Sequence, residues 1–189
     1  MEARESLKKI TRGAFIVLID LLISKLLAYV YRIIIARVGT EEYGIISIGF
    51  AVIGVVSTIC LFGLEEGLIR YVSYYKAKRK HGMISYIHSL SSKITLILSI
   101  LLAIILFYYS TYISINIFHD QRTDFLIKIS AIVLPLFCLY KINLAVLRGL
   151  QEIKLWSYIG NIGENVIKLI ILAIIIFLGY KLNGIIIGY

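Results

Sequence analysis

Long apolar stretches, separated by short polar breaks, run through most of this chain. A helix of about 20 residues crosses the hydrocarbon core of a bilayer. Two stretches of that length carry no charge, at about 44–64 and 94–118, and three more at about 11–36, 125–147 and 153–178 contain a few charges. The pattern predicts an all-α integral membrane protein with five full transmembrane helices and an incomplete sixth at 182–189.

Composition and charge support a membrane location and an orientation. The chain is 60% hydrophobic and carries a net charge of +9, whereas soluble domains are about 45–50% apolar. Its basic residues concentrate before the first stretch, at 76–80 and at 148–154, while the alternate breaks are slightly acidic. Because lysine and arginine favour cytoplasmic loops, we expect a multi-pass protein of the cell membrane with a cytoplasmic N-terminus. The partner that the basic charge implies is therefore the lipid bilayer and not nucleic acid.

Charged side chains interrupt the first apolar stretch. A charge at the bilayer centre costs about 2.5–3.5 kcal/mol on insertion scales, so such residues usually face a watery cavity. Helical spacing places Lys25, Tyr29 and Arg32 within an arc of about 60°. We expect Lys25 and Arg32 to line a substrate cavity. Asp20 lies about 140° from Lys25, where it would pair with a neighbouring helix.

The fifth stretch carries a second polar stripe, and two interpretations of it stay open. Its members fall within an arc of about 100° and are Ser157, Asn161, Glu164, Asn165 and Lys168. Glu164 and Lys168 are spaced for an i,i+4 ion pair, which would join two helices. Alternatively, Asn161, Glu164 and Lys168 form a cavity wall that binds substrate, and Glu164 or Asp20 couples an ion.

Three further charges lie near the ends of the second and fourth stretches. Glu66 and Arg70 are spaced for an i,i+4 pair, which we interpret as a surface clamp. Lys141 interrupts the fourth stretch, and the sequence leaves open whether it reaches the membrane surface or faces the cavity.

Motifs for catalysis or cofactor binding are missing from the sequence. There is no GxxxxGK[ST] and no HExxH, and the three histidines lack the spacing of metal ligands. Cys60 and Cys138 lie in apolar stretches and are expected to be buried free thiols. We expect no enzyme activity, no cofactor and no metal.

The break after the first stretch carries a motif that resembles polysaccharide-export flippases. The segment 36–44 reads ARVGTEEYG, and the resemblance continues with Gly63-Leu64, Arg70 and the segment LRGLQ at 147–151. These flippases belong to the superfamily that also contains multidrug and toxin extrusion transporters. The resemblance implies that residues 1–189 form the N-terminal six-helix lobe of a two-lobed transporter. It also implies a substrate, an anionic lipid-linked oligosaccharide on a polyprenyl diphosphate, which is flipped to the outer leaflet by alternating access during surface polysaccharide biosynthesis.

Three alternatives remain. One is an ion-coupled multidrug or metabolite antiporter of the same superfamily. Another is a non-transporting half, because the incomplete sixth helix predicts a second lobe supplied by a missing C-terminal half or by another chain. A membrane-bound transferase acting on polyprenyl phosphates would need acidic cytoplasmic loops, and the loops here are basic.

Overall fold

The described part of the chain is helical. The computed structural model describes residues 15, 18–30, 32–33 and 40–163. Its helices are α1 (18–30), α2 (Thr40–Leu61), α3 (Leu64–Ala77), α4 (His81–Tyr108), α5 (Ser110–Asn116), α6 (Thr123–Gly149) and α7 (Ile153–Ser157), followed by a π-helical turn, Tyr158–Gly163. Because these residues contain no strand, the all-α prediction is confirmed for them.

The chain divides into two compact units. The central unit is Thr40–Gln151, and the terminal unit combines Met1–Gly39 with Glu152–Tyr189. The central unit contains α2 to α6, and the terminal unit contains α1, α7 and the π-helical turn.

Two helices within the described ranges, α4 and α6, are long and apolar enough to cross a membrane. A third candidate is the bent pair Ser47–Leu61 and Leu64–Ala77, whose two parts meet at 52°. The predicted spans 11–36 and 153–178 extend past the described residues, and 182–189 lies wholly outside them. The count of five spans therefore stays a prediction.

The third predicted span differs from the helix that the structure shows. Helix α4 begins at His81, well before residue 94, and ends at Tyr108, after which α5 continues to Asn116. A hydropathy window marks the apolar part of a helix, but backbone hydrogen bonding continues into the polar segment that precedes it. The charge-free stretch 94–118 thus combines the apolar part of one helix with the short helix that follows.

The bend between α2 and α3 lies at Phe62 and Gly63. Both residues have positive φ angles, 38° and 78°, which glycine adopts without the steric cost of a Cβ atom. The last bond of α2 joins the Phe62 amide to the Thr58 carbonyl, and the Gly67 amide bonds to the Gly63 carbonyl in the first turn of α3. The chain therefore changes direction within two residues.

Helix α6 lies at the centre of the central unit and packs against α2, α3, α4 and α5. The core includes Val72, Leu134 and Ile142 together with Cys60 and Cys138, all fully buried or nearly so. Both cysteines are free thiols and both are buried, as the sequence predicted. A smaller cluster near the start of α6 is formed by Leu106, Ile127 and Ala131.

The end of α6 lies very close to α3. A Cβ atom added at Gly149 would lie 2.8 Å from the Cβ atom of Val72 and 3.1 Å from the Ile69 carbonyl oxygen. The Ser73 hydroxyl donates to the Gly149 carbonyl at 2.8 Å, and the Lys76 ammonium donates to the Leu150 carbonyl. Only the absence of a side chain at residue 149 permits this approach.

Asp120 organises the turn between α5 and α6. Its carboxylate accepts hydrogen bonds from the Arg122 amide at 2.9 Å and from the Arg122 guanidinium at 3.0 Å. Its carbonyl accepts from the hydroxyls of Ser114 and Thr123, both at 2.7 Å. The hydrogen bond from Arg122 lowers the pKa of Asp120 below its usual value.

The turn should therefore weaken in acid. Because the folded pKa of Asp120 is depressed, its contribution is present above the unfolded value of about 3.9 and is lost as pH falls through the folded value. At neutral pH we expect Asp120→Asn to cost roughly 0.2–1 kcal/mol, the usual size for an exposed ion pair. The stability difference between parent and variant, measured by unfolding at several pH values, should shrink as the pH falls below about 4 and disappear once the pH is below the folded pKa. A difference that persists there would contradict this role for the carboxylate.

Candidate functional site

Buried polar side chains from two separate segments meet in the terminal unit. Asp20 is only 4% exposed, and Ser24, one helical turn later on α1, is also buried. Ser157, at the end of α7, is 2% exposed. These two segments together contribute four polar side chains, which we call the polar cluster: Asp20, Ser24, Ser157 and Asn161.

A hydrogen bond between Asp20 and Asn161 joins the two segments. The side-chain amide of Asn161 donates to Oδ2 of Asp20 at 2.5 Å. Asn161 lies in the π-helical turn Tyr158–Gly163, and such widened turns occur frequently at functional sites. Asp20 therefore pairs with a neighbouring helical segment, as its position on α1 predicted.

Two polar atoms of the cluster lack a hydrogen-bond partner. Within the described residues, Oδ1 of Asp20 and the hydroxyl of Ser157 are buried and accept or donate no hydrogen bond. Burying an unsatisfied polar atom costs about 1–3 kcal/mol, and more for a charged group. Both atoms therefore keep unused hydrogen-bonding capacity inside the terminal unit.

The predicted cationic residues are exposed. Lys25 lies on α1 and Arg32 lies two residues past the described end of that helix, and Tyr29 between them is 64% exposed. Asp20 and Ser24 are the buried side chains of α1, whereas Lys25, about 140° from Asp20, lies among exposed apolar side chains such as Leu26. Glu164 and Lys168 lie outside the described residues, so the choice between an ion pair and a cavity wall stays open for them.

A cleft of about 330 Å³ opens in the central unit beside the bend between α2 and α3. We call it the bend cleft. Its charged lining residues are Glu65, Glu66 and Lys141. The other lining residues are Gly54, Ser57, Thr58, Leu61, Gly63 and Phe137.

The structure corrects one sequence interpretation and resolves another. Glu66 and Arg70 form no ion pair in the described part of the chain, so the predicted surface clamp is wrong. Glu66 instead lines the bend cleft because the bend turns the first turn of α3 toward α6. Lys141, left open by the sequence, faces this cleft, with its ammonium 5.4 Å from the centre of the Phe137 ring.

Sequence reasoning missed the bend cleft as a whole. Its residues come from α2, α3 and α6, and a helical wheel shows neighbours only within one helix. The charge of Lys141 inside an apolar stretch was the one available signal. Among the residues described, no three His, Cys, Asp or Glu side chains are placed to hold a metal ion.

Comparison with known proteins identifies the family. The sequence model of the family described as polysaccharide biosynthesis protein matches residues 10–189. The chain belongs to that family. This confirms the family predicted from the motif at 36–44, and the LRGLQ segment of the same resemblance contains Gly149, whose contact with α3 requires glycine.

One protein similar to this chain comes from a bacterium. The chain is 22% identical over 175 residues to stage V sporulation protein B of Bacillus subtilis (strain 168), a match that covers 91% of this chain and 34% of that protein. The chain thus spans about a third of the length of this relative. No solved structure matches the chain.

Proposed function

We propose that this chain is part of a membrane transporter that flips a lipid-linked oligosaccharide to the outer leaflet. The observation that carries the proposal is a pair of exposed basic side chains, Lys25 on α1 and Arg32 just past its described end, which helical spacing predicts to share one basic face. Such charges are costly against lipid and suit a watery cavity. Membership of the polysaccharide biosynthesis family supports a glycan as the cargo.

The basic face would bind the diphosphate that joins the sugar to its lipid. Lysine suits a mobile anion because its ammonium is a compact charge with rotatable donors. Lys25, Arg32 and Lys168 would hold the head group in the cavity, assisted by Asn161, while the lipid tail stays in the bilayer. Alternating access requires a second lobe, supplied by further residues of a longer protein or by another chain.

The membrane potential can drive this movement. Moving one negative charge outward gains about 2.3 kcal/mol per 100 mV when the inside is negative. A diphosphate carries at least two charges, so the transport does not need ATP hydrolysis. Glu164 or the buried Asp20 would add ion coupling.

Replacing the basic residues tests the proposal. Each lost charge-assisted hydrogen bond is worth about 1.5–3 kcal/mol, so Lys25→Ala and Lys168→Ala, made in a complete transporter, should each lower export about tenfold or more. Export is measured as the appearance of the lipid-linked glycan in the outer leaflet. Lys93→Ala is the matched control, since Lys93 is exposed on α4 in the central unit. Full export by both cavity variants at normal expression would overturn the proposal.

The polar cluster favours one second candidate, an ion-coupled antiporter of drugs or metabolites. Asp20 is a buried carboxylate with one oxygen unpaired within the described residues, and an intramembrane acid is a candidate for ion coupling. In that case Asp20→Asn should abolish transport of a cationic dye, whereas Lys25→Ala should leave it unchanged. The opposite pattern supports the flippase.

A further inference from the structure

The bend cleft has no part in the transport scheme above, yet it gathers three ionisable side chains. Lys141 is half-buried, Glu65 is half-buried and Glu66 is exposed. Among the described residues, Lys141 forms no ion pair with either glutamate. The three groups therefore share one cleft while their hydrogen-bonding capacity stays available to a ligand.

The mixed charge of the cleft disfavours strongly ionic ligands to different degrees. Its two carboxylates would repel a phosphate or diphosphate, and the ammonium of Lys141 weakens their attraction for a small cation. A neutral ligand with many hydroxyls is repelled neither by the carboxylates nor by the ammonium. Carboxylates accept hydrogen bonds from hydroxyls, and an ammonium donates to hydroxyl or ring oxygens.

The remaining lining residues fit the same kind of ligand. The hydroxyls of Ser57 and Thr58 both donate to the Gly54 carbonyl, at 2.9 and 2.8 Å, so their oxygens remain able to accept hydrogen bonds. Phe137 and Leu61 provide apolar surface for the C–H face of a ring. A volume of about 330 Å³ is at the lower end of the range of about 300–1,000 Å³ for small-molecule sites, which suits one ring.

We propose that the bend cleft binds a single uncharged sugar ring through Glu65, Glu66 and Lys141. The inference rests on the proposed function, because it assigns to this cleft one sugar of the proposed cargo. The bend at Phe62 and Gly63 creates the site, since it places the first turn of α3 beside α6.

Cysteine protection tests the inference on the chain as it exists. Gly54→Cys places a thiol in the cleft, where an added Cβ meets nothing within 4 Å, and Thr58→Cys is a second probe if the first variant does not fold. The native Cys60 and Cys138 are fully buried, so a small uncharged maleimide should react mainly with the introduced thiol. The reaction rate is measured with and without glucose, galactose, mannose or N-acetylglucosamine.

The expected result is protection by at least one of these sugars. At a free concentration of ten times Kd, the reaction should slow about tenfold because the cleft is then mostly occupied. Ser85→Cys, exposed on α4 outside the cleft, should react at the same rate with and without sugar. Adding Glu65→Gln or Lys141→Met to the Gly54→Cys chain should remove the protection, whereas adding Glu152→Gln should not.

Other outcomes overturn the inference. These are equal protection by inorganic phosphate, protection by tetramethylammonium, protection that survives both Glu65→Gln and Lys141→Met, and no protection of either thiol by any sugar. The test is independent of transport. A transporter that exports normally but shows no protection contradicts the sugar site alone, and a protected chain whose transport ignores Lys25 and Lys168 contradicts the proposed function alone.

Discussion

Replacing Gly149 by alanine is expected to destabilise the central unit by about 1–3 kcal/mol, the usual cost of overpacking a core. The new Cβ atom would lie 2.8 Å from Cβ of Val72, 3.0 Å from its Cγ1 atom and 3.1 Å from the Ile69 carbonyl. The Ile69 carbonyl oxygen and the Val72 Cβ atom are fixed by the backbone and cannot move away by a side-chain rotation. Helices α3 and α6 must therefore separate. Separation would also lengthen the hydrogen bond from Ser73 to Gly149.

Gly67→Ala provides the matched control. Gly67 lies inside α3, the helix that Gly149 contacts, but a Cβ atom there meets nothing within 4 Å. Alanine in a helix interior is more favourable than glycine by about 0.5–1 kcal/mol, so this variant should be neutral or slightly stabilised. The two variants are compared by thermal unfolding in detergent, followed by circular dichroism. Each kcal/mol of destabilisation should lower Tm by about 2–4 °C. If Gly149→Ala unfolds at the parent's temperature, the contact does not limit the approach of the two helices.

The importance of Gly149 illustrates what the sequence could predict. The segment LRGLQ supports the family resemblance, and the family is confirmed. The physical reason for its glycine lies in Val72 and Ile69, which are far away in sequence and come close only when α3 packs on α6. Local pattern identifies the residue as special, but only tertiary packing explains why.

The helices themselves were predicted better than their ends and bends. Apolar length located α4 and α6, which the structure also shows as candidate spans. The bend at Phe62 and Gly63 was missed because the stretch 44–64 carries no charge and is long enough to span, and hydropathy does not report backbone angles. The misplaced start of α4 has the same origin, since polar residues from His81 onward continue the helix without being apolar.

For the candidate site, too, positions within one helix could be predicted and contacts between helices could not. The angular positions on α1 correctly separated Asp20 from Lys25, because they depend only on helix geometry. That Asp20 contacts Asn161 depends on how two helical segments align with each other, and no single-helix pattern contains this information. The same limit concealed the bend cleft, whose charges come from α3 and α6.

Asn161→Leu should be among the most damaging single changes in the terminal unit. It removes the hydrogen bond that Asn161 donates to a carboxylate that is 4% exposed, and within the described residues neither oxygen of that carboxylate then has a partner. The cost of such an orphaned polar group is about 1–3 kcal/mol and more when it is charged. Asn143→Leu is the control, since Asn143 is an exposed helical asparagine bonded to His88 at 3.0 Å, and its loss should cost much less.

A double-mutant cycle decides whether the cost belongs to the pair. Asp20→Leu combined with Asn161→Leu leaves nothing polar to satisfy between these two positions, so the double variant should be more stable than Asn161→Leu alone. The coupling energy from denaturant unfolding should fall between about 0.5 and 3 kcal/mol, the range for residues in direct contact. Additive effects would mean that Asp20 and Asn161 do not stabilise the unit as a pair.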